Sequence, residues 1–249
     1  MSNSDRAWQK WGNANPYYAV LTDNKFRSAT IDENRFEFFQ QGAHEIQARL
    51  EKAERHFGRV ARNRALDFGC GVGRLTLALA KEFGAVVGLD ISDAMLAEAK
   101  RNAAAESVGN ASFFPSDDAL SAATGTYDFV GTYIVIQHIP IIRGIPIIAN
   151  LLDRVAPDGI ASIHFSIARN ESTIGTAKYW IHRHAPILRQ MSSIVRHRRR
   201  AEPLMQMNQY PLAEILAMFK DRGFGDVLVE TEMHGSILTA NLISRRTPP

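Results

Sequence analysis

Cys70 is the only cysteine in this chain of 249 residues. A lone cysteine excludes an internal disulfide and any zinc site built from several thiolates. No apolar run approaches the ~20 residues that span a bilayer as a helix. The opening stretch, MSNSDRAWQKWG, contains no apolar leader segment, which predicts a cytoplasmic protein. Repeats and low-complexity stretches are also missing from the sequence. The length therefore suits one large domain, or a core with an added lid.

Another absence is local. Between Glu171 and Glu202 there is no acidic residue, while seven Lys or Arg occur, from Lys178 to the run Arg198, Arg199 and Arg200. Those seven exceed the formal net charge of +3, so the rest of the chain is net acidic and the basic character belongs to one segment. Residues 178–200 mix these cations with apolar side chains. Such a segment suits an anionic acceptor, peripheral contact with an anionic membrane, or simply a solvated face. The sequence leaves the three open.

What is present has a clear rhythm. Residues 32–57 predict a helix interrupted near Gly42 and stopped by Gly58. After that, strands are expected at 64–68, 85–90, 111–115, 127–136 and 159–167. Helices are expected between them at 73–84, 92–107 with Ser92 as N-cap, and 141–155 with Pro146 inside. This alternation predicts a parallel sheet covered on both faces, with its ligand at the carboxyl ends of the strands. Residues 168–209 break the rhythm. A helix over 211–224 and a closing pair of strands, DVLVETEM and SILTANLIS, complete the chain.

The stretch RALDFGCGVGRL carries the chemistry. Gly69, Gly71 and Gly73 follow the first strand at G-x-G-x-G spacing and open a helix. Dinucleotide enzymes place a glycine-rich turn in the same position, and Asp90 at the end of the second strand suits a ribose diol in either kind of site. Asp67 is the discriminating residue. A carboxylate there repels a pyrophosphate, since unit charges about 4 Å apart interact by ~4 kcal/mol at an effective dielectric near 20. The same charge attracts a nucleoside that carries an ammonium group and no phosphate, and S-adenosylmethionine is such a ligand.

At these residues the chain resembles the class I S-adenosylmethionine-dependent methyltransferases. ALDFGCGVGRL is similar to their first motif and VVGLDIS to their acidic second motif. YDFVGTYIVIQHI and LLDRVAPDGIASIHF are similar to their fourth and fifth strands. The resemblance covers roughly residues 60–167. It implies a Rossmann-like α/β fold with a seven-stranded, mostly parallel sheet, helices on both faces and an antiparallel last strand. Residues 1–58 would form an N-terminal lid with helices, 59–249 the methyltransferase domain, and 168–209 a substrate-side insertion.

The resemblance also implies site roles. Asp67, Gly69, Cys70, Gly71 and Gly73 would hold the amino-acid end of S-adenosylmethionine, with Cys70 present as a small residue that fits the turn. Asp90 would bind the ribose hydroxyls, with Ile91 and Met95 against the adenine. Asp117 would face the adenine amino group, and Asp118 is expected to be a solvated loop charge. Gln137 follows the fourth strand, where the family lines the gap between cofactor and acceptor. Apart from the resemblance, the N-terminal aromatics Trp8, Trp11, Tyr17 and Tyr18 suit either a lid over the cofactor, with Tyr17 and Tyr18 the better pair, or packing against the sheet.

Methyl transfer to a hydroxyl benefits from a base near neutral pKa. His138 and His164 are the candidates, each of which could instead be a structural histidine. The predicted acceptor is a small molecule offering oxygen, or else nitrogen, such as a sugar, carboxylic acid or secondary metabolite. A nucleic-acid methyltransferase is disfavoured because TYIVIQHI lacks the Asn/Asp-Pro-Pro-aromatic pattern of enzymes that act on base amines. A non-catalytic cofactor-binding protein and a nicotinamide dehydrogenase are the remaining readings. No set of carboxylates suggests a metal, so no metal dependence is expected.

Overall fold

The computed structural model describes residues 2–169, 202–203 and 205–248. The basic segment 178–200 and most of the insertion expected at 168–209 lie outside the described residues. Helix α1 (Asn3–Ala14) begins at Ser2, whose hydroxyl accepts the Asp5 N–H while the Asp5 carboxylate accepts the Ser2 N–H. This reciprocal pair satisfies donors that a helix start leaves open. Helix α2 (Pro16–Val20) starts with proline, where no N–H is needed. Helix α3 (Ile31–Phe57) ends at Gly58.

Helix α3 runs unbroken through Gly42, contrary to the sequence expectation. A Cβ at that position would lie 2.6 Å from the Arg74 carbonyl oxygen. Gly42 thus serves close packing of α3 on α4 (Arg74–Ala80) and does not break the helix.

The sheet comprises β1 (Arg64–Phe68), β2 (Ala85–Asp90), β3 (Ala111–Pro115), β4 (Tyr127–Thr132), β5 (Val155–Arg169), β6 (Phe224–His234) and β7 (Ile237–Arg246). Their spatial order is β3-β2-β1-β4-β5-β7-β6. Strands β1 to β5 pair in parallel, and β7 runs antiparallel to both of its neighbours. Helices α5 (Asp93–Ala105), α6 (Ile141–Asp153) and α7 (Leu212–Asp221) complete the layers with α3 and α4. The expected seven-stranded, mostly parallel sheet is therefore present. The order reverses between β1 and β4, which is where such sheets bind ligands.

Two strand limits differ from expectation. Strand β4 stops at Thr132 because Ile134 has a left-handed φ of 59° that ends the extended run. Strand β5 begins earlier, at Val155, and shifts register against β4 between Tyr127 and Phe129. Among the described residues no helix is long and apolar enough to cross a membrane.

The two faces of β1 bury different partners because side chains alternate along a strand. Leu66 and Phe68 join the core built on α6 and α7, with Leu151 and Phe219. Ala65 joins the opposite core, with Ile46 and Leu50 of α3 and Leu79 of α4. Asp67, two residues after Ala65, shares that second face. The N-terminal helices form a further cluster in which Trp11, Tyr17 and Phe38 meet Val72 of the glycine turn and Met95 of α5.

Replacing Gly42 with alanine should cost roughly 1–3 kcal/mol, the usual range for forcing a methyl into a packed contact. Gly109→Ala, where nothing lies within 4 Å of the added carbon, should leave the thermal midpoint unchanged. Thermal melts of both variants check the contrast.

Candidate active site

The site grows from the turn after β1. Gly69, Gly71 and Gly73 have φ values of 76°, 53° and 88°, a region that side chains other than glycine resist. Four amides of this turn are already used. The N–H groups of Gly69 and Cys70 donate to the Leu89 carbonyl at 2.7 and 2.9 Å, and that of Gly73 donates to the Cys70 carbonyl at 2.9 Å. Gly71 N–H donates to Asp90 Oδ2 at 2.9 Å, and Ser92 N–H to Asp90 Oδ1 at 2.8 Å. Burial raises the pKa of Asp90 while these amides oppose the shift. Ser92 caps α5, its hydroxyl accepting the Met95 N–H.

A cavity of about 800 Å³, open to solvent, lies over this turn. Of the residues expected to bind cofactor, Gly69, Gly71, Asp90, Ile91, Met95 and Asp117 line it. His138 also lines it, from the 3₁₀ turn after β4. Valines close over the glycines: a Cβ on Gly69 would lie 2.3 Å from a Val135 methyl, and one on Gly71 2.7 Å from a Val20 methyl.

Other expected residues lie elsewhere. Cys70 packs its buried thiol beside Gly88, and burial pushes that thiol well up from its ordinary pKa. Gly73 caps α4 from behind the turn. The Gln137 side chain is buried, and its Oε1 has no partner among the described residues. Tyr18 carries the Arg27 guanidinium 3.8 Å over its ring. Tyr17 donates to Glu98 at 2.6 Å within a network that includes Asn102 and Arg35. Of the four N-terminal aromatics, Trp8 of α1 lines the cavity, with Ala19 and Val20 beside it.

Asp67 is not at the mouth of this cavity. Its carboxylate accepts the Thr76 hydroxyl at 2.6 Å and lines a separate, water-sized space with Arg49, Thr132 and Ser162. The alternation of β1 explains this, because Phe68 faces the main cavity and Asp67 the opposite side. Tyr133 lines both spaces. Burial raises the Asp67 pKa to about 6.

The two histidines differ. His138 places Nδ1 2.6 Å from the Gln206 carbonyl oxygen. A carbonyl only accepts, so Nδ1 carries the proton and Nε2 keeps its lone pair. Burial lowers the His138 pKa to about 4, which keeps the ring neutral at physiological pH. Trp8 stands edge-on to it, with ring centroids 4.9 Å apart. His164 is outside the main cavity's lining and accepts the Ile134 N–H on Nδ1 at 3.2 Å.

Sequence reasoning missed a clasp on the cavity rim. Arg143 of α6 donates to both oxygens of Asp118 at 2.8 and 2.6 Å, and to Asp5 and Ser2 of the N-terminal segment at 2.8 and 2.7 Å. Asp118, expected to be a solvated charge, is therefore ion-paired. No local pattern marks partners separated by 25 and 138 positions. Among the described residues no group of three or more His, Cys, Asp or Glu is placed to hold a metal.

Comparison with known proteins agrees with this architecture. Residues 65–159 match a family described as a methyltransferase domain. A ubiquinone biosynthesis O-methyltransferase of Acinetobacter baylyi is 32% identical over 94 residues, 37% of this chain and 40% of that protein. The chain thus spans about two fifths of the length of that relative. Magnesium protoporphyrin IX methyltransferase from Synechocystis PCC 6803, solved with S-adenosylmethionine bound, superposes with a TM-score of 0.63 at 19% identity over 99% of both chains. An N-methyltransferase of Bradyrhizobium japonicum WM9, in complex with S-adenosyl-L-homocysteine, gives 0.60 at 11% identity over 99% of this chain and 100% of that one. Residues 65–159 thus resemble a methyltransferase domain, and the fold around them is that of the superposed methyltransferase structures.

Asp67 yields a pH prediction. Its folded pKa of about 6 lies above the ordinary 3.8, so the folded state holds a proton that the unfolded state releases. Its contribution to stability is fully present below pH ~3.8 and falls by up to roughly 3 kcal/mol as the pH rises through 6. Asp67→Asn keeps an acceptor for Thr76 and should flatten this part of the profile. Urea denaturation of both proteins at pH 4.5 and 6.5 measures the difference.

Proposed function

We propose that this protein transfers a methyl group from S-adenosylmethionine to an oxygen, or else a nitrogen, of a small-molecule acceptor such as a sugar, carboxylic acid or secondary metabolite. The observation that carries the reading is the Asp90 carboxylate beside a glycine turn whose Gly69, Cys70, Gly71 and Gly73 amides already have acceptors. A pyrophosphate needs free N–H donors at such a turn, whereas a ribose diol needs acceptors, and each Asp90 oxygen has capacity left after one amide. Ile91 and Met95 provide the apolar wall an adenine requires, and Asp117 stands on the same wall for its amino group.

The bound cofactor supplies a methyl group already activated on a sulfonium. The protein's part is alignment, which by itself supplies much of the acceleration in such a transfer. Trp8 and the valines keep water from the reacting centre. His138 Nε2 would take the acceptor's proton during the transfer. The Gln206 carbonyl holds the tautomer that makes Nε2 the accepting atom. Small-molecule chemistry also fits the acceptors implied by the names of the ubiquinone and protoporphyrin enzymes.

Calorimetry and turnover separate the two roles. Asp90→Ala should abolish binding of S-adenosylhomocysteine. His138→Ala should retain binding while turnover falls about a hundredfold, the usual contribution of a general base. Formation of S-adenosylhomocysteine on a panel of hydroxylated and carboxylated acceptors is the readout. A native protein that binds no S-adenosylhomocysteine contradicts the reading.

A further inference from the structure

The turn after β4 holds a conformation that its own side chain resists. Ile134 has φ 59°, and a β-branched residue in the left-handed region is a genuine outlier that persists only where its surroundings enforce it. His164 of β5 accepts the Ile134 N–H on Nδ1. The same imidazole lies edge-on to Tyr133, with centroids 4.7 Å apart, and the Arg49 guanidinium sits 4.3 Å over the Tyr133 ring. On the other side of Ile134, Val135 fills the space above Gly69. All three turn residues line the main cavity, and Tyr133 lines the small chamber too.

We infer that His164 is a positioning residue: its Nδ1 holds Ile134 in the left-handed conformation and so sets the wall that Tyr133 and Val135 present to the cofactor. The inference rests on the reading of this cavity as the S-adenosylmethionine site. An N–H donor requires a lone pair on Nδ1, so the His164 proton resides on Nε2. That nitrogen is buried and has no partner among the described residues. The ring's polar commitment is therefore to Ile134, and its place outside the cavity lining separates it from the proton transfer assigned to His138. Burial, reinforced by the charge of Arg49, lowers its pKa well below the ordinary value and preserves the lone pair. An apolar side chain of similar size would fill the volume and leave the Ile134 N–H unpaired.

The test is a set of single and double variants titrated with S-adenosylhomocysteine by calorimetry. H164N is the conservative variant, because an asparagine side-chain oxygen stands near the position of Nδ1 and can accept the same N–H. H164N should bind within about threefold of the native protein, and H164L should bind at least tenfold more weakly, as release of a strained turn implies. H164Q, which carries its acceptor further out, should behave as H164L and serves if that variant does not fold. In an Ile134→Gly background, where the left-handed conformation needs no enforcement, the same His164→Leu change should cost less than about threefold. Equal losses with and without Ile134→Gly, or an H164N as weak as H164L, overturn the positioning role alone. A native protein that does not bind S-adenosylhomocysteine overturns the cofactor reading, and the positioning role with it.

Discussion

The Asp90 carboxylate joins the parts on which the cavity depends. By accepting the Gly71 and Ser92 amides it ties the glycine turn to the end of β2 and to the start of α5. Those bonds, with the Leu89 carbonyl accepting from Gly69 and Cys70 and the Cys70 carbonyl from Gly73, occupy four amides of the turn. Each amide left without its partner in such a buried place costs ~1–3 kcal/mol, so the arrangement resists rearrangement around a ligand that wants donors. It favours a ligand that wants acceptors and an apolar bed.

The proposed selection therefore rests on Asp90 and not on Asp67. The sequence suggested that Asp67 stands at the cavity mouth and repels phosphate. The structure turns that carboxylate to the α3–α4 side of the sheet, into a chamber it shares with Arg49. At the mouth, the proposed exclusion of phosphate would come from Asp90, the occupied amides of Gly69, Cys70, Gly71 and Gly73, and the valines packed over Gly69 and Gly71. The sign of the selection survives, but its source moves from one charge to a hydrogen-bond inventory.

The elements most legible in sequence were those governed by local rules. Strands β1, β2 and β3 lie where apolar runs between turn residues put them, and Ser92 caps its helix as expected. The direction of Asp67 was implicit in the two-residue alternation of β1, although motif resemblance alone favours the glycines beside it. Gly42 shows the limit of local propensity: it reads as a break, yet it is the close contact that lets α3 lie on α4. The Arg143 clasp and the contact of Trp8 with His138 join segments far apart in the chain. Only the folded topology brings these together.

The most direct measurement is a competition titration of the native protein with S-adenosylhomocysteine and a nicotinamide dinucleotide, followed by calorimetry. The account predicts saturable binding of the thioether nucleoside that an excess of dinucleotide leaves unchanged. A dinucleotide that binds and displaces S-adenosylhomocysteine would show that the turn offers free donors to phosphate, and would contradict the account at its centre.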